Sequence, residues 1–406
     1  MKNLLSAPLV ISALFFVSCS SDDDQPIVQN TVEVPATYKF MRNSESTVNF
    51  DGQTTRILMA GETANAFMDF DNATEASLLA MFNHQAGNND FTEAYLNTSD
   101  KNLRSKTAAS YDYFFTNTSE SAEIKATFED YISSQINEVF PNRMVVAAPG
   151  MAGQVADGSR TRYVSSKGLE YNQAFAKSLL GAVMADQMLN NYLSAAVLDE
   201  GNNRENNDNG ITEENKSYTT MEHKWDEAYG YLYGTSANPE NPNLTIGEDD
   251  KFLNEYVGRV NDDPDFSTIA AEIFDAFKLG RAAIVAKNYE VRDEQVAIIR
   301  EKISEVIAVR GIYYLQAGKN KIVDGDRQGA FHALSEAYGF VYSLRFTRKS
   351  DNSTPLFTKT EVDALLNMLM NSSNNGFWDI APETLDAVSE AIAAKFDFTV
   401  SQAGSL

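Results

Sequence analysis

One eleven-residue word occurs twice in this chain, and it carries the residue types best suited to chemistry. His223-Lys224-Trp225-Asp226-Glu227-Ala228-Tyr229-Gly230-Tyr231-Leu232-Tyr233 returns as His332-Ala333-Leu334-Ser335-Glu336-Ala337-Tyr338-Gly339-Phe340-Val341-Tyr342, with six of the eleven positions identical. The chain has only three His, so a shared His argues against coincidence and for a duplicated helical unit. In each copy His, Glu and Gly fall at i, i+4 and i+7, on one helix face. The glycine allows another helix or a ligand to come close. Two copies facing each other across a pseudo-twofold axis would bring His223, Glu227, His332 and Glu336 together as a nitrogen–oxygen site suited to Fe or Zn. The same spacing also serves a local His–Glu pair, with Tyr229 and Tyr338 closing helix crossings. Metal binding, acid–base chemistry and packing therefore all stay open.

Other polar residues fall on apolar stripes. Arg310 lies on the stripe of Ile303, Val306 and Tyr314, and Arg281 follows Gly280 within an apolar run. Asp186 shares a stripe with Phe175, Leu179, Ala182, Leu189 and Leu193. A buried arginine needs a carboxylate, and Asp186, Glu227 and Glu336 are the natural partners. Asp186, Arg310, Arg281, Tyr229 and Tyr338 thus form the expected layer around a metal, or a purely structural network competing with it. The third histidine, His84, is expected at the surface or in a cap. No nucleophile elbow, His-Glu-x-x-His or phosphate loop occurs. The stretch 199–209 is rich in Asn, Asp and Glu, but in EF-hand spacing the twelfth position is Lys216 rather than Glu, so it reads as a solvated loop.

The elements that must position these residues are helices. Ten prolines in 406 residues favour long helices over many short strands. Helical patterns cover 57–70, 75–85, 120–139, 168–198, 218–234, 248–260, 269–288, 294–318, 326–345, 360–370 and 383–396. Gly318 is expected as a C-cap and Thr358 with Glu361 as a capping box. The Asp51-Gly52 pair, between β-favouring residues, marks a hairpin over 48–56. The Gly-rich stretch 149–158 reads as a loop. Pro239 and Pro242 mark a seam. The expected architecture is mainly α: an N-terminal helical bundle with a small β-hairpin over 36–235, a linker over 236–247, and a C-terminal bundle over 248–406.

The first residues read as an address. Lys2, an apolar stretch over 4–17 and Phe16-Val17-Ser18-Cys19 resemble a lipoprotein signal peptide (1–18) with Cys19 as the lipidation site. The polar segment 19–35 reads as a flexible tether, and its acidic start, Asp22-Asp23-Asp24, resembles a surface-export signal. Cys19 is the only cysteine, which excludes an internal disulfide framework. The net charge of −24, from 33 Lys+Arg against 57 Asp+Glu, argues against a nucleic-acid partner.

The run Met221-Glu222-His223-Lys224-Trp225-Asp226-Glu227-Ala228-Tyr229-Gly230-Tyr231-Leu232 resembles the family called domain of unknown function 4856. So do Phe277-Lys278-Leu279-Gly280-Arg281-Ala282-Ala283-Ile284 and Thr37-Tyr38-Lys39-Phe40 with Asp51-Gly52-Gln53-Thr54. The resemblance covers the chain from about Tyr38 to its end and implies a bacterial lipoprotein of unassigned activity; the expected location is the outer membrane, facing the periplasm or the cell surface. More distantly, two helical bundles with a His-and-Glu helix are similar to the imelysin family: helical, duplicated, envelope-exposed proteins linked to iron uptake and once grouped with metallopeptidases. The imelysin motif is Gly-x-His-x-x-Glu; here the spacing is His-x-x-x-Glu, and the residues two before the histidines are Met221 and Ala330. The resemblance also implies company with a TonB-dependent receptor or an imelysin-like protein, hence iron or haem acquisition. The expected function is a non-enzymatic binding component of metal acquisition. The alternatives are an imelysin-like metallohydrolase, or a module docking a receptor or glycan with a structural repeat.

Overall fold

Threonines write many of the helix starts. Thr74, Thr219, Thr358 and Thr399 each accept from the backbone N–H three residues on, and the side chain there reaches back to the threonine N–H. Each reciprocal pair satisfies two donors that a helix end leaves open. The computed structural model describes residues 32–351 and 354–405. The signal peptide 1–18, Cys19 and most of the tether lie outside the described residues.

The elements that matter are β1 (Met41–Arg42), β2 (Glu45–Ser46), α1 (Asp51–Ala66), α2 (Glu75–Phe82), α3 (Thr118–Ser134), β3 (Gly153–Asp157), β4 (Arg160–Val164), α4 (Tyr171–Leu179), α5 (Thr220–Tyr233), α6 (Leu253–Asn261), α7 (Ile269–Val285), α8 (Tyr289–Val323), α9 (Ala330–Ser343), α10 (Lys359–Asn371) and α11 (Pro382–Ala393). The described residues are mainly helical, as expected, with two antiparallel two-stranded ribbons among them, β1–β2 and β3–β4. Among the described residues no helix is long and apolar enough to cross a membrane.

At 35 residues, α8 is the spine, about 52 Å long at 1.5 Å per residue. Helices α7, α9 and α11 pack along it, α4 lies on α9, and α5 lies between α1 and α7. Residues 32–406 form one compact unit, and one continuous apolar core runs from Tyr38 to Ala403. The expected seam at 236–247 does not divide this unit. Pro239 and Pro242 do interrupt the helices, but the segment is tied down: Glu240 O accepts from Tyr38 N, and Pro239 O from Tyr229 Oη. Helices from either side then bury their apolar faces on each other.

Several local expectations also change. The 48–56 stretch is not a hairpin, because Asp51 opens α1, where a carboxylate favours the positive end of the helix dipole. The turning residues lie earlier, at Asn43 and Ser44, both in the left-handed region. The second ribbon turns through Gly158 and Ser159, just after Asp157 pairs with Arg160, and β3 itself lies inside the stretch expected as a loop. The stretch 199–209 includes a short helix, Asn203–Asp208. Gly318 lies inside α8, and a Cβ there would come 2.4 Å from Leu334 Cδ2. Gly280 on α7 receives Trp225 in the same way, at 2.1 Å. Trp225 and Leu334 hold the same position in the repeated word.

The helix expected over 168–198 is not regular. After α4 the backbone makes two π-helical stretches, Leu180–Ala185 and Met188–Tyr192, and then breaks at Ser194, which caps Ala195–Leu198. Arg300 of α8 donates to the carbonyls of Leu189 and Leu193, supplying hydrogen bonds at this helix end.

Gly280→Ala should destabilise the protein by about 1–3 kcal/mol, since the new methyl meets a fully buried indole. Urea unfolding followed by circular dichroism measures this, and an unchanged midpoint would contradict the packing described.

Candidate functional site

In the first copy of the word, α5 carries His223 and Glu227 against α1. The His223 ring stacks on Tyr218, with centroids 4.5 Å apart, and its Nδ1 is buried with no hydrogen-bond partner among the described residues. Burial pulls the imidazole below its ordinary value; Lys224 adds to this, while Glu227, Glu213 and the Asn49 backbone oppose it. Glu227 accepts from Gln53 Nε2 at 3.1 Å and pairs with Lys224 Nζ at 2.9 Å. Burial raises the Glu227 carboxyl, but Lys224, His223 and the bond from Gln53 outweigh it and hold the group below the usual range.

In the second copy, α9 carries His332 and Glu336 against α4. His332 Nδ1 lies 3.2 Å from Glu170 Oε1, and its Nε2 lies 3.7 Å from Glu336 Oε2. Lys177 Nζ reaches Glu336 at 3.4 Å. Ser335 Oγ accepts from Glu170 N, which fixes the start of α4 on α9.

The two copies are packed by the same device. A Cβ at Gly230 would fall 2.4 Å from Phe50 Cβ and 3.0 Å from Gln53 Cβ, and one at Gly339 would fall 2.4 Å from Lys177 Cβ. The missing side chain lets a neighbouring helix press in. From that helix Gln53 donates to Glu227, and Lys177 pairs with Glu336. Each glutamate is therefore partnered through its own glycine notch.

The four expected ligands stay in two separate pairs, each with its own helix neighbour. Among the described residues no group of three or more His, Cys, Asp or Glu is arranged to hold a metal ion. Gln53, Glu170 and Lys177 are the partners that the sequence did not single out. Nothing in their local patterns signals them, because they arrive from helices remote in the chain.

Arg281 does find carboxylates, but not the expected ones. It is fully buried, with Nη1 3.1 Å from Glu222 Oε1 and Nε 3.0 Å from Asp226 Oδ1. Its Nη2 donates to Thr47 Oγ1. Tyr38 Oη donates to Asp226 at 2.6 Å, and Arg42 clamps Glu222 through two bonds. Burial pushes the Asp226 carboxyl up to about 6, although Arg281 and Tyr38 oppose it; Glu222, with two arginines, stays below its usual range despite burial. Glu222 and Asp226 are four apart, so helical spacing did hold a signal for this pair. The matching positions in the second copy are Phe331 and Ser335, so this network belongs to the first copy alone.

The other expected residues are placed as follows. Arg310 is buried with no carboxylate partner among the described residues; it lies among the rings of Tyr256, Tyr313 and Tyr314, with its Cζ 4.1 Å from the Tyr313 centroid. Among the described residues Asp186 pairs with no arginine; it accepts from Ala109 N, Ser110 N, Ser110 Oγ and Asn190 Nδ2, and burial raises its carboxyl. Tyr229 stacks on Tyr38 with centroids 3.7 Å apart. Tyr338 packs on the core, and burial raises its phenol. His84 is buried, not at the surface, and its Nδ1 lies 2.6 Å from Asp90.

Two outcomes follow from this geometry. Arg281→Met leaves Glu222 and Asp226 buried without that cation and should cost about 3–5 kcal/mol in urea unfolding. A loss under about 1 kcal/mol would contradict the assigned role. The second outcome concerns pH. With its folded pKa depressed, His223 contributes stability that is present above 6.5 and lost as pH falls through the folded value. His223→Gln should therefore show a shallower fall in Tm between about pH 7 and pH 5 than the parent. Parallel slopes would contradict this placement.

Comparison with known proteins adds one finding. No curated protein and no solved structure matches the chain. A family model described as a domain of unknown function matches residues 35–399, nearly the whole of the described body. The chain therefore belongs to the family of the domain of unknown function DUF4856.

Proposed function

We propose that this protein is a lipoprotein anchored in the outer membrane that works by binding rather than by catalysis, with the repeated words as braces inside its helical body. The observation that supports this best is how the chemically capable residues are used. Glu227 is held by Gln53 and Lys224, Glu336 by Lys177, and His332 lies between Glu170 and Glu336. Arg281 occupies Glu222 and Asp226. A catalytic base or metal ligand needs a free lone pair facing a ligand-sized space. These carboxylates instead face cations and amide donors of neighbouring turns. Cys19, separated from the apolar stretch 4–17 only by the small Ser18, supports the acyl anchor. The family resemblance supports a place beside a TonB-dependent receptor or an imelysin-like protein, and so in iron or haem acquisition.

The test is titration of the purified protein with Fe(II), Zn(II) and haemin, with metal analysis and calorimetry. His223→Ala and His332→Ala are expected to lower Tm and to leave metal and haem uptake unchanged. One-to-one binding of Zn or Fe that His332→Ala abolishes would replace this reading with a metal-binding one. Cleavage of a peptide library that Glu227→Gln abolishes would replace it with a metallohydrolase.

A further inference from the structure

Beside the first copy of the repeated word lies an amine that no carboxylate holds. Lys106, in the chain between α2 and α3, is half-buried, and its Nζ has no hydrogen bond or ion pair among the described residues. It stands over the ring of Tyr192, 5.3 Å from the centroid, at the end of the second π-helical stretch. Lys224 Nζ lies over the same ring at 5.6 Å. An exposed lysine needs no partner, because water solvates it. One that is partly desolvated with no carboxylate in contact is held at a cost to its charged form.

The charges that face Lys106 are mostly of its own sign. Arg56 of α1 is 7% exposed; its Nε and Nη1 donate to the carbonyls of Asn102 and Gly52, and no carboxylate pairs with it among the described residues. From α5 come Lys224 and Glu227, already paired with each other at 2.9 Å. Lys101, on the same segment as Lys106, has Asp100 2.7 Å away. Beyond that pair, three cations, Arg56, Lys106 and Lys224, share one acid, Glu227, in a chain of net charge −24. Burial first, then Arg56, with Lys224 and Lys101 adding to it, pull the Lys106 ammonium down to about 8 against the attraction of Glu227. At about pH 7.5 such a group holds on the order of a hundredfold more neutral amine than a lysine of ordinary value.

An amine in this setting suits one small electrophile. Carbon dioxide needs no cavity, and its adduct is an anion. The Nζ lone pair attacks the carbon, one C=O electron pair moves onto oxygen, and the amine proton leaves to solvent, so R–NH2 + CO2 gives R–NH–COO− + H+. Neither oxidant nor reductant is required. The product turns three cations against one acid into two against two. It also breaks no ion pair, because Lys106 has none among the described residues. We propose that Lys106 is a carbamylation site that takes up carbon dioxide on its ε-amine, with Arg56 and Lys224 as counter-charges of the carbamate. The site needs neither metal nor haem, so it stands or falls apart from the titration described above.

The purified full chain is equilibrated with 13C-bicarbonate at about pH 7.5, treated with triethyloxonium to fix carbamates as ethyl esters, and digested for mass spectrometry, beside a sample kept free of carbon dioxide. The labelled ester is expected on Lys106 at about tenfold or more its level on any other lysine, and only with bicarbonate present. Lys106→Gln should remove one carbamate signal from the 13C NMR spectrum, leaving any signal of the α-amine, with circular dichroism unchanged. Lys224→Gln, a change at a partly exposed side chain, keeps the amine but lets Glu227 hold its proton more firmly, and should cut the Lys106 adduct about threefold. Adduct spread over the lysines with no excess on Lys106 overturns the proposal, as does equal labelling of Lys106 without carbon dioxide. An equal yield in Lys224→Gln also overturns it, since the surrounding charge then does not govern the site.

Discussion

The structure depends on one buried charge. The guanidinium of Arg281 has no access to water, and removing such an ion from solvent costs several kcal/mol unless partners replace the lost hydration. Glu222, Asp226 and Thr47 replace it, and they come from α5 and from the chain just after the β1–β2 ribbon. Arg42 of β1 and Tyr38 complete the set. One cation therefore fixes α7, α5 and the N-terminal ribbon together. The Tyr38–Tyr229 stack and the tie from Tyr229 to Pro239 are built on the same corner. The repeated word in α5 is held at its polar end by this network and at its other end by the glycine contact with α1.

The word itself turns out to be a packing instruction with charge attached. Its third residue, Trp225 or Leu334, fills a glycine notch on the next helix. Its own glycine, Gly230 or Gly339, receives a residue from a helix on another side. The glutamate between them is then buried enough to need a donor, and the incoming helix brings one. The copies differ where their surroundings differ: an Arg281 network in the first, and a His332 imidazole between two carboxylates in the second. Shared packing with divergent polar partners suits a brace better than a symmetric metal centre.

Much of the fold was legible locally. Helix 75–82 matches its expected start, the capping box at Thr358 and Glu361 forms as expected, and α5 and α9 lie within two to four residues of their sequence bounds. These features depend on hydrogen bonds and apolar periodicity within a few residues. The errors came where distant groups decide. Asp51-Gly52 has hairpin chemistry, yet packing on α5 makes it a helix start. Gly318 has C-cap chemistry, yet Leu334 needs the space inside α8. The helix over 168–198 has good periodicity, yet it ends in π turns served by Arg300, 107 and 111 residues on from the carbonyls it meets.

By itself the sequence determined the helical class, the repeated word, the family resemblance and the list of polar residues that burial would involve. Those follow from side-chain chemistry and spacing along one chain. Only the tertiary structure decided which residue satisfies which. Glu222 lies one turn before the adjacent Asp226 and Glu227 on one helix, and whether each meets Arg281, Gln53 or a metal depends on how neighbouring helices are rotated. That rotation is set by glycine notches and the volumes that fill them, summed over the whole core.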